Sequence, residues 1–228
     1  MKKIYSLIAA VSISTLSFAQ DAAPNNKVFH SLGYAVYTEV AAGPVKVDSW
    51  IDQYGPHTEV AQDAGFSYFS MFYRFRYNVH EMNDNSAIGL SVTPDLGLAI
   101  TAYGAGYFNL PVMAEIEFGA GATYNSTAEK GGLFGFGFEM NKLSLINFNN
   151  IGSSGSTEHI VQPRNFWVQP VLTTGIRYWN KKNKMKEVNL KFGFGAKNDV
   201  LPATYETNGG FRFPPITLRL SFVTFLNY

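Results

Sequence analysis

The sequence predicts an all-β protein, an eight-stranded antiparallel transmembrane up-and-down β-barrel. The first observation behind this prediction is an alternation of apolar and polar residues with a period of two, repeated along segments that turn residues separate. The second is a regular alternation of long and short connections between those segments. The third is composition, because aromatic residues make up 15% of the chain and charged residues only 15%. That balance is unusual for a soluble secreted domain.

The N-terminal segment has the pattern of a secretory signal peptide. Lysines at positions 2 and 3 precede an apolar run over 4–16, and Ser17 and Ala19 are small residues suited to the −3 and −1 cleavage positions. The run is too short to cross a bilayer comfortably as a membrane anchor. We therefore predict a signal peptide at 1–19, cleaved after Ala19, and one barrel domain at 20–228.

Composition excludes several classes of function. The formal net charge of +1 argues against a nucleic-acid partner. The absence of cysteine excludes a disulfide framework and thiolate metal or redox sites. No later stretch approaches the roughly 18 consecutive apolar residues of a transmembrane helix. We predict no metal site and no cofactor.

The first two strands show the alternation most clearly. The first, His30–Val40, carries Leu32, Tyr34, Val36 and Val40 on one face. The second, Gly65–Val79, carries Phe69, Met71, Tyr73, Phe75, Tyr77 and Val79 on one face, opposite Ser70, Arg74, Arg76 and Asn78. A polar turn at 80–85 follows.

The third strand, Ser86–Thr101, contains the turn-like pair Pro94-Asp95. A hairpin there would divide it into two short strands, and a two-residue turn would preserve the parity of the apolar residues. The large apolar residues from Ile88 to Ile100 all stay at even-numbered positions and therefore on one face. One long strand that bends at the proline is the simpler interpretation.

The fourth and fifth strands are predicted at Tyr107–Tyr124 and Phe134–Met140. The fourth alternates Phe108, Leu110, Val112, Ala114, Ile116 and Phe118 with polar residues and glycine. After the fifth, Leu143 and Leu145 fall on the opposite parity, which predicts a β-bulge near Lys142.

The last three strands are predicted at Phe166–Trp179, Val188–Phe194 and Ile216–Tyr228, each with alternating apolar residues. The connections are long at 41–64, 147–164 and 197–215, moderate at 101–106, and short at 80–85, 125–131 and 180–186. Outer-membrane barrels have short periplasmic turns and longer external loops, so this order favours both termini in the periplasm.

Side-chain volume indicates which face points outward. Alternation alone does not separate a membrane barrel from a soluble lipocalin-type barrel, because the strands of both alternate. The two differ only in whether the apolar face points outward or inward. An eight-stranded barrel has an interior just wide enough for side chains to fill. The apolar face is crowded with Phe, Tyr, Leu and Ile, whereas the other face is rich in glycine, such as Gly33, Gly135 and Gly193. We predict that the bulky face contacts lipid.

Four tyrosines lie near the ends of the even-numbered strands: Tyr77, Tyr124, Tyr178 and Tyr228. These strands descend toward the periplasm, so the tyrosines are predicted to form the periplasmic aromatic girdle. The alternative is the ordinary preference of tyrosine for strands.

With a signal peptide, eight alternating strands and a terminal aromatic residue, the chain resembles the small bacterial outer-membrane barrels typified by the OmpA transmembrane domain and OmpX. The segment from Tyr107 to Val112 resembles the strand start of the outer-membrane β-barrel domain of the Bacteroidota. The resemblance implies a bacterial outer-membrane location with membrane lipids as partners. The last strand resembles the C-terminal signal that the barrel-assembly machinery reads, carried here by Leu220, Phe222, Leu226 and Tyr228.

The predicted inner face carries eleven charged residues: Glu39, Arg74, Arg76, Asp95, Glu115, Glu117, Glu139, Arg177, Glu187, Lys191 and Arg219. Charges in a narrow, dry interior must be paired to offset their desolvation. We predict a salt-bridge network that fills the lumen. The alternative is a gated polar pathway for ions or small solutes.

No catalytic residues are predicted. His30, His57, His80 and His159 show no paired metal-ligand spacing. The segment 152–156 departs from the G-x-S-x-G nucleophile motif at its last position. We therefore expect a non-enzymatic protein.

The predicted external loops contain Trp50, Ile51, Tyr54, Val200, Leu201, Tyr205 and Phe211. Exposed aromatic residues on loops often take part in recognition, but they can equally pack the loops together. The predicted function is a structural or surface-interaction role, through adhesion or recognition of an extracellular ligand that the sequence does not identify. The alternative is a narrow pore or transporter.

Overall fold

The fold is a closed antiparallel β-barrel with a small hairpin outside it. The computed structural model describes residues 27–148, 163–200 and 214–226. The strands are β1 (Val28–Ala42), β2 (Lys46–Asp52), β3 (Gly55–Ala61), β4 (Ala64–Asn83), β5 (Ser86–Val92), β6 (Asp95–Thr101), β7 (Gly104–Gly119), β8 (Lys130–Asn147), β9 (Phe166–Trp179), β10 (Met185–Phe194) and β11 (Ile216–Phe225). The signal peptide predicted at 1–19 lies outside the described residues.

The sheet closes because β1 pairs with both β11 and β4. Every other neighbour in the ring follows along the chain, in antiparallel pairs from β7 through β11. Both β5 and β6 lie between β4 and β7. The wall therefore has eight strands, with β5 and β6 as the two halves of one, and the predicted fold class is confirmed.

The junction between β5 and β6 explains the ambiguity at the proline. On β4, Phe75 pairs with Val92 and Phe72 pairs with Asp95, so the register continues without a shift. Pro94 lacks an amide N–H, which interrupts the ladder. Its carbonyl still accepts a 3.1 Å hydrogen bond from a β4 amide. The interpretation as one strand bent at the proline is therefore confirmed, and there is no hairpin turn.

Register shifts occur in several strands, and those in β8 and β1 accompany a non-glycine residue at positive φ. In β8 the register against β7 shifts between the Ala105 and Tyr107 pairs, and Ser144 has a φ of 50°. This bulge was predicted near Lys142, and it turns Leu143 into the interior. A bulge in β1, where Tyr37 has a φ of 54°, was not predicted.

Several strand ends differ from the prediction. The fourth wall strand ends at Gly119, five residues before Tyr124, because glycine at positive φ begins a turn there. The fifth wall strand is longer at both ends than Phe134–Met140. The first long connection is not only a loop, since it contains the β2–β3 hairpin.

The two faces of the wall have opposite polarity. Leu98 is 70% exposed and Ile176 is 68% exposed on the outside, whereas Arg177 is fully buried inside. The bulky apolar parity thus faces outward, as predicted. Within the described residues, no helix is long and apolar enough to cross a membrane.

Aromatic rings also occupy the interior, which the volume argument did not anticipate. Phe29, Phe72, Tyr107 and Trp167 are buried on the inner face. Glycine makes room for at least one of these rings, because a Cβ on Gly33 would overlap the ring of Phe72. Phe72 therefore lies over the backbone of the neighbouring strand β1, where it pairs with Gly33.

Candidate functional site: the charged lumen and the outer loops

The eleven charged residues predicted for the inner face are all buried inside the barrel. Each lies on the inward parity of its strand, because alternate side chains of a strand point to opposite faces. They form two clusters. The lower cluster lies toward the short turns and the upper cluster toward the long loops.

Glu187 is the centre of the lower cluster. Arg74 donates two parallel hydrogen bonds of 2.9 Å to its two carboxylate oxygens. Arg177 donates a third from Nε, at 2.6 Å. Bidentate arginine–carboxylate pairs of this kind combine strength with fixed geometry.

Arg177 also links Glu187 to Glu117. Its Nη1 and Nη2 donate to the Glu117 carboxylate at 2.5 and 3.0 Å. Arg76 forms a second ion pair with Glu117 and donates to the carbonyl of Gly121 at 2.8 Å. Three arginines and two glutamates thus form one continuous buried network.

Aromatic rings cover the lower cluster on the side of the short turns. The Arg76 guanidinium lies 3.7 Å from the ring centroid of Phe29, and that of Arg177 lies 5.0 Å from Phe225. Tyr124 stacks on Phe29 at 4.5 Å and donates to the carbonyl of Val28 at 2.7 Å. These rings close the lower end of the lumen.

The structure therefore corrects one member of the predicted girdle. Tyr124 lies in the turn after β7 and packs across the mouth, rather than on the outer face of a strand. Tyr77 and Tyr178 lie on the outer face and are 44% and 40% exposed. Tyr228 lies outside the described residues.

Glu139 is the centre of the upper cluster. It pairs with Lys191 Nζ at 2.8 Å and accepts hydrogen bonds from Gln169 at 2.7 Å and Asn109 at 3.0 Å. Thr217 donates a further hydrogen bond to it. This carboxylate is fully satisfied by one cation and neutral donors.

Gly193 makes room for that arrangement. A Cβ at this position would overlap the carboxylate of Glu139 and the polar ends of Thr217 and Gln169. No larger residue fits here without moving the centre of the upper cluster.

Arg219 forms the other half of the upper cluster. It pairs closely with Asp95, and its Nη1 lies 3.9 Å from Glu39 Oε1. Its guanidinium lies 4.3 Å from the ring centroid of Phe72. The aromatic ring that Gly33 accommodates thus supports this arginine.

Little space remains between the clusters. A cavity of about 20 Å³ is lined by Phe72, Arg74, Thr93, Pro111, Met113, Glu115, Thr173, Asn189, Lys191 and Arg219. That is room for about one water molecule.

Asp63, between β3 and β4, ties the outer mouth together. It is buried and accepts a 2.6 Å hydrogen bond from Ser144 Oγ, whose oxygen lies 2.5 Å from Thr101 Oγ1. Burial raises the pKa of Asp63. The contact joins the connection before β4 to the bulge of β8.

The outer loops are joined to one another. Val45 and Val47 donate backbone hydrogen bonds of 2.9 and 3.0 Å to the side chains of Asn198 and Asp199. Arg164 donates a 2.5 Å hydrogen bond to Asp199. The base of the β2–β3 hairpin is thus held by residues of the connections at 147–164 and 197–215.

The tip of the hairpin projects from this base. Ile51 is 81% exposed and Tyr54 is 83% exposed, while Trp50 stacks on His57 at 5.3 Å. Val200 is 91% exposed on the neighbouring connection. The other loop residues singled out by sequence, Leu201, Tyr205 and Phe211, lie outside the described residues.

The predicted assembly signal is only partly described. Leu220 and Phe222 face outward on β11, 37% and 42% exposed. Leu226 follows the end of that strand, and Tyr228 lies beyond the described residues.

The histidines do not converge on one site. His30 lies on β1, His57 on the hairpin and His80 on β4. His159 and the segment 152–156 lie outside the described residues. Among residues 27–148, 163–200 and 214–226, no three acidic or histidine side chains are grouped as metal ligands.

Sequence reasoning missed the neutral members of the upper cluster. Asn109, Gln169 and Thr217 carry much of the hydrogen bonding around Glu139. Their inward parity was the available signal, because a buried carboxylate needs donors as well as a cation.

The chain matches no known protein family and no curated protein sequence. The solved structures that resemble it include two bacterial surface or outer-membrane proteins. Neisserial surface protein A is 13% identical with a TM-score of 0.40, and the match covers 89% of this chain and 100% of that one. The outer membrane protein OprG from Pseudomonas aeruginosa is 12% identical with a TM-score of 0.39, covering 87% and 93%. The fold assignment rests on the strand register itself.

Proposed function

We propose that this chain is a bacterial outer-membrane barrel with a structural or surface-interaction role, whose loops face the environment. The observation that carries the proposal is the inverted polarity of a closed barrel, with charges buried inside and large apolar side chains exposed outside. Water would not favour that exposed face, whereas lipid does. The proposed partners are membrane lipids and the barrel-assembly machinery.

The height of the apolar wall supports a membrane location. On β4, Tyr68 and Tyr77 bound an outward stretch that also contains Phe69, Met71 and Phe75. At about 3.4 Å per residue and a tilt near 40°, this stretch rises roughly 20 to 25 Å along the barrel axis. The apolar band of outer-membrane barrels is about 25 Å tall.

The joined loops support the surface role. The hairpin is fixed at its base by Asn198, Asp199 and Arg164, which pre-organises Ile51 and Tyr54 at its tip. A fixed, exposed apolar tip loses less conformational entropy on binding than a flexible loop. We propose this tip as the contact point for an extracellular ligand. The proposal includes no catalytic activity.

Cysteine labelling tests the location and orientation together. The chain has no cysteine, so Tyr54→Cys and Lys182→Cys each create a single thiol. A membrane-impermeant maleimide added to intact cells should label the hairpin variant and leave the variant in the 180–184 turn unlabelled until the cells are broken. The folded protein should fractionate with the outer membrane. Equal labelling of both variants, or recovery in the soluble periplasm, would refute the proposal.

Conductance tests the alternative of a pore. The filled lumen predicts negligible current when the purified protein is inserted into planar bilayers. Steady single-channel currents would favour transport instead.

A further inference from the structure

The two lumen clusters differ in charge balance. The lower cluster contains three arginines, at 74, 76 and 177, and three glutamates, at 115, 117 and 187, and its formal charges therefore cancel. The upper cluster has two cations, Lys191 and Arg219, against three carboxylates, Glu39, Asp95 and Glu139. Within residues 27–148, 163–200 and 214–226, the upper half therefore has one more buried carboxylate than it has cations.

Glu139 is not the carboxylate left without a partner. Lys191 is committed to it at 2.8 Å, and neutral donors fill its remaining positions. The surplus charge therefore belongs to Glu39 and Asp95, which share the single cation Arg219.

Unpartnered polar atoms lie on the same part of the inner wall. Both carboxylate oxygens of Glu39, Oδ1 of Asp95 and the hydroxyls of Ser67 and Ser70 are buried without a hydrogen-bond partner. Glu39 is 2% exposed, Ser67 4% and Ser70 0%. Such atoms are rare in folded proteins, and each one calls for a physical explanation, of which a bound ion is one.

The strand register brings these groups together. Glu39 pairs with Ser67 across β1 and β4. Ser70 pairs with Gly97 across β4 and β6, two residues from Asp95. An added Cβ on Gly97 would lie 3.0 Å from Ser67 Oγ, so both serines border the same glycine. We name Glu39, Ser67, Ser70 and Asp95 the acidic patch.

We propose that the acidic patch binds one small monovalent cation in the folded barrel, either a proton or a dehydrated sodium ion. The ligand set is oxygen alone, which suits a hard cation. One added positive charge would make both clusters neutral. It would also remove the cost of a buried unpaired carboxylate.

Size restricts the ligand to these two sources. A void beside the patch has no room for a water molecule. It is lined by Glu39, Ala41, Gly65, Ser67, Ala99, Tyr107 and Leu143. A hydrated ion does not fit there, whereas a proton needs no space and a bare sodium ion is smaller than water.

No other side chain in the part of the chain that the structure describes supplies the missing charge to the patch. β11 contributes Arg219, β10 contributes Lys191 and β8 contributes Glu139, all already paired. β7 contributes the neutral phenol of Tyr107, which donates to Asn141. The described inner faces of β4 at this level and of β9 near Glu139 carry hydroxyl, amide and aromatic groups and no charged side chain.

Two readouts on the folded wild-type protein distinguish the sources. A bound proton gives an infrared carbonyl band of an un-ionised carboxylic acid at neutral pH, and Glu39→Gln or Asp95→Asn removes the band. A bound sodium ion gives no such band. Instead, the melting temperature in detergent rises when sodium chloride replaces N-methylglucamine chloride at equal ionic strength, and Glu39→Gln abolishes that rise.

Glu117→Gln is the matched control, because it removes the same charge from the balanced cluster. It should lower the melting temperature strongly, whereas Glu39→Gln should leave it near or above the wild-type value. If Glu39→Gln does not fold, Asp95→Asn is measured against the same control.

The proposal is overturned if the wild type shows neither the band nor a specific effect of sodium. It is also overturned if Glu39→Gln melts as low as Glu117→Gln. Neither result bears on the cellular location of the barrel, which the labelling experiment tests separately.

Discussion

Glu187→Gln tests the importance of the lower cluster for folding. The substitution keeps the shape of the side chain and removes its charge. Glu187 accepts two 2.9 Å hydrogen bonds from Arg74 and one of 2.6 Å from Arg177. Glutamine can accept through one oxygen only, and its amide nitrogen would face a guanidinium donor.

The two arginines are affected unequally. Arg177 keeps two hydrogen bonds to Glu117, so its charge stays paired. Arg74 loses its one ion-pair partner and remains buried. Breaking a buried pair from one side costs about 3–5 kcal/mol, and we expect Glu187→Gln to lower the free energy of unfolding by that amount.

Urea unfolding in lipid vesicles, followed by tryptophan fluorescence, measures this loss. Glu129→Gln is the matched control, because Glu129 is exposed in the turn before β8. Surface charges contribute about 0–1 kcal/mol, so the control should unfold with the wild type. The double variant with Arg74→Gln restores the charge balance and should be less destabilised than the sum of the single variants.

A loss below about 1 kcal/mol for Glu187→Gln would refute the reasoning, because a buried guanidinium cannot lose its carboxylate at so small a cost. Additive losses in the double variant would show that the two side chains do not interact.

Three further predictions address other parts of the barrel. Gly193→Ala should lower the urea midpoint and broaden amide signals around Glu139, whereas Gly195→Ala, in open space, tests the cost of its positive φ alone. Because burial raises the pKa of Asp63, the folded state binds a proton at pH values at which this carboxyl is already ionised in the unfolded chain. Stability should therefore fall as pH rises through the raised pKa, and Asp63→Asn should remove that slope in melting curves. Leu96→Arg, on the outward face near mid-wall, should cost about 2–4 kcal/mol in vesicles if lipid surrounds the barrel, and a far smaller loss would contradict a membrane location.

Periodicity accounts for what the sequence predicted well. A one-residue slip moves every side chain of a strand to the other face, so the parity of Arg74 or Glu187 was readable without coordinates. The bulge in β8 was also readable, because Leu143 broke the pattern. The bulge in β1 was not, since tyrosine at position 37 continues an apolar run.

The wrong predictions concern features that depend on distant residues. Tyr124 has the parity of a girdle residue, yet its ring stacks on Phe29 from another strand. The β2–β3 hairpin was predicted only as a long connection, although Trp50 and His57 pair across it. Local alternation carries no information about either contact.

The fold class, the number of wall strands and the polarity of the wall could be read from the sequence, because they follow from the period and the volume of the side chains. Only the tertiary structure decided which charges meet. Eleven inward residues allow many pairings, and the choice depends on the barrel register that places Arg74 and Arg177 on one carboxylate and leaves Glu39 and Asp95 to share Arg219. That register is fixed by closure of the sheet between β1 and β11, which joins the two ends of the described barrel and has no local signature.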